Sequence, residues 1–210
     1  MKKSNSIIFG VGINDADYLI NQYAVENGKY NLVWRCPFYV TWKNMLKRCY
    51  SENALAKDPS YRGVTVCSEW LILSNFKAWM ISQDWQGKAL DKDLLIPGNK
   101  VYSPETCVFV DAKINTFTID RARSRGNYLI GVSWNKARQK FLSCCRNPFT
   151  GKNENLGYFH DELEAHLAWK KRKHELACQL ADSDLVQDER LAQALRTRYL
   201  PDNTQEVKAA

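Results

Sequence analysis

The sequence predicts an α+β protein: a ββα core in its N-terminal two-thirds, then a three-stranded antiparallel sheet packed on one helix, then a further C-terminal helix. Three observations carry this reading. Residues 90–96 and 107–110 are apolar and strand-like, a Pro97-Gly98-Asn99-Lys100 turn follows the first, and Asp111 caps a helical stretch through Phe117. Three more strand-like segments crowd residues 128–159, with a helix opening at Asp161. The excess of basic over acidic charge sits essentially in that second region.

Taken in order, residues 1–30 read as an N-terminal arm with a short helical stretch near residues 18–26. From Phe38, the spacing of Trp42, Met45, Leu46 and Cys49 at intervals of three and four predicts a helix. Tyr61-Arg62-Gly63 is a turn, residues 64–67 a strand, and Trp70, Phe76, Trp79 and Met80 line a second helix to about residue 82. The core thus spans residues 31–120. Residues 121–178 form the second module, and residues 179–210 a helical tail.

In that module the strands cover residues 128–134, 139–147 and 153–159. Asp161 caps the helix, with Glu164 three residues on, and Ala165, Ala168, Trp169 and Leu176 share one helix face. Strand alternation turns Val132, Trp134, Phe141, Ser143, Cys145 and Leu156 toward the helix. The other face then shows Ser133, Lys140, Leu142, Cys144, Arg146 and Asn155, with Lys136 and Arg138 at the hairpin rim.

Hydrophobic residues at 45% and charged residues at 25% describe a folded chain, not a disordered one. No apolar run approaches the roughly 18 residues of a membrane span, so no membrane partner is expected. No signal-peptide pattern opens the chain, which predicts a cytoplasmic location and reduced thiols for its seven cysteines. Residues 121–178 hold 12 basic and 5 acidic side chains, an excess equal to the net charge of +7 of the whole chain. Such a local field attracts polyanions. Lys170, Lys171, Arg172 and Lys173 read as a solvated helix face that adds to it. Arg121, Arg123 and Arg125 read as a linker that tracks phosphates.

Gly131-Val132-x-Trp134, Lys140-Phe141, the run from Asn155 to Phe159, and Glu164-Ala165-x-x-Ala168-Trp169 resemble the APETALA-type DNA-binding domain over about 50 residues. The resemblance implies a sheet that docks in the major groove of double-stranded DNA. Its contacts would be Lys136, Arg138, Lys140, Arg146, Asn153 and Asn155, together with the linker arginines. Ile130, Ser133, Leu142 and Cys144 stand where the family often has arginine. That shifts the expectation from base readout toward backbone and shape readout.

The N-terminal region resembles HNH-type endonucleases of the phage homing class over about 80 residues. The matching string is Trp42-x-x-Met45-x-x-Arg48-Cys49-Tyr50, Tyr61-x-Gly63-Val64-x-Val66-Cys67-x-Glu69-Trp70, Phe76, Leu90-Asp91-Lys92-Asp93, Tyr102-Ser103-Pro104-x-x-Cys107 and Asn115. The resemblance implies an HNH-like ββα-metal core, in a phage protein acting inside a bacterial host. Asp91 and Asn115 would hold Mg²⁺ or Mn²⁺, and Lys92 stands near the base position. Phosphodiester hydrolysis needs a metal to neutralise charge and a base to activate water, and HNH enzymes use histidine as that base. This chain has only His160, His166 and His174, all outside the core. A lysine of ordinary pKa would have to fall by about three units to replace it.

Cys36, Cys49, Cys67 and Cys107 are candidate zinc ligands, set against buried thiols. No Cys-x-x-Cys pair supports the metal. His166 and His174 read as helix-surface residues. The tail at residues 184–200 is amphipathic through Leu185, Leu191, Leu195 and Tyr199, and either folds back or docks a protein partner. Two functions stay open: a metal-dependent DNA endonuclease, or a catalytically inactive, nuclease-derived DNA-binding or interaction protein that regulates or blocks another machine.

Overall fold

The computed structural model describes residues 6–119 and 127–200. The chain is α+β and divides into two units, Met1–Val110 and Asp111–Ala210.

The first unit begins with two hairpins. β1 (Ser6–Ile8) pairs with β2 (Gly12–Asn14), and β3 (Asn21–Glu26) with β4 (Lys29–Arg35), all antiparallel. The helical stretch expected near residues 18–26 is therefore a strand. Asn27 and Gly28, with φ of 52° and 72°, form the tight turn that joins β3 to β4. Tyr23 pairs with Leu32 and Val25 with Tyr30, and all four stay exposed.

Next come α1 (Pro37–Tyr50), α2 (Glu52–Lys57), a 3₁₀ turn at Pro59–Tyr61, β5 (Thr65–Val66), a second 3₁₀ turn at Ser68–Leu71 and α3 (Leu73–Ile81). The predicted periodicity of α1 is what it buries: Tyr39, Trp42, Met45, Leu46 and Cys49. Trp42 is wholly buried, and its indole N–H donates to the Trp70 carbonyl at 2.7 Å, so its one polar atom is satisfied. Trp70, Phe76, Trp79 and Phe109 continue the core as a chain of ring contacts.

β6 (Ala89–Asp91), β7 (Val101–Tyr102) and β8 (Val108–Val110) close the unit. β6 pairs antiparallel with β8, and β5 pairs parallel with β7. The strand expected over residues 90–96 stops at Asp91. The Asp91 carboxylate accepts the backbone N–H groups of Asp93 and Leu94, at 2.9 and 2.7 Å, and so folds the chain away from the ladder.

The second unit opens with α4 (Ala112–Thr118), capped as expected by Asp111, whose Oδ1 accepts the Lys113 N–H. The helix that carries Asn115 thus belongs with the C-terminal elements. β9 (Val132–Asn135), β10 (Lys140–Arg146) and β11 (Asn153–Phe159) form an antiparallel sheet of order β11-β10-β9. The first of these strands starts later than residue 128. α5 (Glu162–Ala181) packs on the sheet, with Asp161 Oδ1 accepting the Glu164 N–H as its cap.

Gly131 lies at the closest approach of sheet and helix. Its φ is 82°, and a Cβ there would sit 2.1 Å from Trp169 Cγ. α6 (Glu189–Arg198) settles the tail: it folds back on α5, burying Leu191, Ala192 and Leu195. The Tyr199 ring meets those of Phe117 and Trp169 edge-on.

Candidate functional site

In the first unit Asp91 is the end of β6, fixed by the ladder and by its two accepted N–H bonds. Burial and the nearby Asp93 carboxylate push its pKa up, against the pull of those amides. Lys92 is buried, and its Nζ donates to Asp93 Oδ2 at 2.9 Å and to the Asn99 carbonyl at 3.2 Å. Asn99 Nδ2 returns bonds to the Lys92 and Val101 carbonyls, at 2.6 Å each. The geometry gives Lys92 the task of tying residues 92–101 into a closed loop.

Arg48, on α1, completes this cluster. Burial opposes its charge, but hydrogen bonding to Tyr102 and the proximity of Tyr61 and Asp91 raise its pKa overall. Burial likewise raises the Tyr102 phenol, which stays protonated at neutral pH. Arg48, Tyr61 and Tyr102 are in the motif string but carried no role there. Their signal was an arginine one position before Cys49, on a helix that otherwise buries apolar residues. Asn115 lies on α4 of the second unit, half-buried, with its backbone N–H bonded to the Asp111 carbonyl.

Cys36, Cys49 and Cys107 are buried within the apolar core and Cys67 packs against it. Burial raises the thiols of Cys49 and Cys107, the former to about 11 and the latter to about 12. Among the described residues no group of three or more His, Cys, Asp or Glu side chains is arranged to hold a metal ion.

In the second unit the ladder sorts the sheet faces. Trp134 and Phe159 flank Phe141, and Val132 and Gly157 flank Ser143, on the helix side. Ser133 and Tyr158 flank Leu142, Cys144 pairs with Asn155, and Arg146 with Asn153, on the open side. A bulge between Ser143 and Cys144 leaves Leu156 without a partner. The bulge reverses the alternation beyond it, so Tyr158 faces outward.

There the Arg138 guanidinium lies 4.4 Å from the centre of the Tyr158 ring. Asn135 Oδ1 accepts the Arg138 N–H at 2.9 Å and fixes the β9–β10 turn beneath it. Lys136, Arg138 and Arg146 are exposed, and Lys140 is half-buried. The middle of the face is uncharged, as Ser133, Leu142 and Cys144 foretold. Tyr158, on the open face beneath Arg138, is the residue to which sequence reasoning gave no role, and Gly157 inside a strand was its signal.

The run at residues 170–173 is not one solvated face. Arg172 makes a two-bond ion pair with Glu154, at 2.7 and 3.2 Å, and a third bond to Glu175. Hydrogen bonds from Arg172 and Asn147 bring Glu154 down to about 2. Lys173 is 9% exposed and donates to the Phe117 carbonyl at 2.6 Å, with its Nζ 3.5 Å from the Phe117 ring centre. Desolvation brings its ammonium down to about 8. His166 is half-buried, bonded through Nδ1 to the Ile130 carbonyl and stacked on Trp169. The linker arginines Arg121, Arg123 and Arg125 lie outside the described residues.

Comparison with family models, curated proteins and solved structures finds no match. Among the described residues no helix is long and apolar enough to cross a membrane.

Proposed function

We propose that the chain is an HNH-like, metal-dependent DNA endonuclease of the phage homing class, which docks on duplex DNA through the open face of an APETALA-type sheet and nicks it. One observation carries the reading: a three-stranded sheet covered by a helix on one side and ringed on the other by Arg138 on Tyr158, Lys140 and Arg146. Cations at the rim and uncharged side chains in the middle suit phosphate contact more than base readout. Replacing Arg138 and Lys140 together with alanine is expected to weaken duplex binding at every sequence. It should also flatten the dependence of log K on log salt by about two, one for each lost phosphate contact. An unchanged slope would assign the face to another partner.

Asp91 is the proposed metal ligand, within the first unit. Oxygen donors suit Mg²⁺, which keeps waters and takes phosphate oxygens for its remaining positions. A bound ion would neutralise charge on the scissile phosphate and the leaving oxygen. It would also relieve the repulsion between Asp91 and Asp93. Lys92 holds the loop that presents Asp91.

The test is nicking of supercoiled plasmid with Mg²⁺ or Mn²⁺. Asp91→Ala is expected to cut the rate at least about 10–100-fold, the scale of losing even an outer-shell partner of a metal ligand. The second reading, a binding protein on a nuclease-derived scaffold, rests on the lack of histidine in residues 1–110 and on the engagement of Lys92 Nζ by Asp93 and Asn99. Tight duplex binding with no nicking under either metal would establish it over the first.

A further inference from the structure

Beside the sheet, the second unit holds a groove of about 990 Å³ between α4, the turn after β10 and α5. Its charged lining residues are Lys113, Arg146 and Lys173, and among the described residues no carboxylate lines it. On the rim Phe149 is 47% exposed and Ile119 is 51% exposed. Pro148, Phe149 and Thr150 are held in place by Asn147, whose Oδ1 accepts the N–H groups of Phe149 and Thr150 at 2.8 and 3.2 Å.

We propose that this groove binds single-stranded DNA, with a base laid on Phe149 and the adjoining phosphates on Lys113, Arg146 and Lys173. Charge selects a polyanion, since three cations and, among the described residues, no carboxylate face the space. Lys173 Nζ is held by the Phe117 carbonyl and ring but has no carboxylate partner among the described residues, so an anion entering the groove would supply the opposite charge it lacks. The exposed phenyl ring selects an unpaired base. A duplex keeps its base faces stacked inside and offers such a ring nothing, whereas a single strand offers a π-face at every nucleotide. The volume, at the upper end for small-ligand pockets, suits one or two nucleotides.

This goes beyond the duplex reading and does not depend on it. Arg138, Lys140 and Asn155 do not line the groove, and Arg146 alone borders both surfaces.

The test uses the full chain in EDTA, with fluorescein-labelled oligo-dT of about ten nucleotides read by anisotropy, and a labelled duplex measured separately. Phe149→Ala is expected to weaken oligo-dT binding about tenfold, the scale of one lost base stack, with duplex affinity unchanged. Phe149→Trp is expected to restore it, and Lys113→Glu to weaken it and lower its salt slope. Equal oligo-dT affinity for wild type and Phe149→Ala would overturn the proposal. So would equal losses from Phe149→Ala and from Arg138→Ala with Lys140→Ala, which would put the strand on the sheet. Displacement by inorganic polyphosphate as readily as by oligo-dT would do the same, because charge alone would then explain binding. Failure of the duplex arm leaves these outcomes readable.

Discussion

Gly131→Ala is expected to destabilise the second unit by about 2–5 kcal/mol, combining a left-handed backbone cost of about 1–2 with an overpacking cost of about 1–3. The backbone cost follows from a φ of 82°. The overpacking follows from Trp169, whose Cγ and Cδ1 would lie 2.1 and 2.2 Å from the new Cβ. Neither side can retreat easily. The Gly131 carbonyl accepts the Cys144 N–H at 2.9 Å, and Trp169 is stacked on His166 and meets Tyr199 edge-on. Denaturant unfolding of the full chain gives the magnitude, and hydrogen exchange over β9–β11 gives the location. The double variant Gly131→Ala, Trp169→Leu is expected to show favourable coupling, because the shorter side chain removes the clash but not the backbone cost. An unshifted midpoint in the single variant would show that the sheet and helix have slack at this point.

The stability of the second unit is expected to rise between about pH 8 and pH 10.4 by up to about 3 kcal/mol, through Lys173 alone. Desolvation holds its ammonium at about 8 in the folded chain, below the usual lysine value. The unfolded chain therefore binds more protons in that window, and raising the pH favours the folded state. Below the folded value the penalty is present in full. Lys173→Met is expected to stabilise the unit at pH 7 by about 1–2 kcal/mol, the relief of the charge less the lost bond to the Phe117 carbonyl. The difference between wild type and variant should close as pH rises, against an opposing contribution from the buried Cys145 thiol, whose pKa burial raises and the Lys173 ammonium lowers. Parallel stability curves for the two proteins from pH 7 to 10 would refute this account.

Local periodicity made α1 and α5 legible, since each buries one stripe of side chains and exposes the rest. The three strands of the sheet were legible for the same reason, and β11 matched its expected span of residues 153–159. β3 and β4 were not, because a hairpin exposed on both faces imposes no apolar alternation on its residues. Only the Asn27-Gly28 turn marked it. The Asp91 cluster was half legible: the sequence brought out Asp91 and Lys92, but Arg48 and Tyr102 reach them across 40 or more intervening residues, or across a turn, by tertiary packing. The burial of Lys173 was hidden, because three neighbouring cations make position 173 look solvated. Only the return of α6 and the placement of α4 enclose it.

The bulge in β11 has a consequence for how the strand tolerates change in length. Each residue on this strand keeps its face through its partner on β10, and Leu156 has none. Loss of Leu156 would leave every pair in register, with Asn153 and Asn155 still outward and Glu154 still beside Arg172. Loss of a paired residue near the middle of the strand would exchange the two faces beyond it, bringing Glu154 onto the open face and stranding Arg172. The strand thus has one position where an insertion or deletion is neutral to its facing, and a lineage free to drift in length would be expected to drift there.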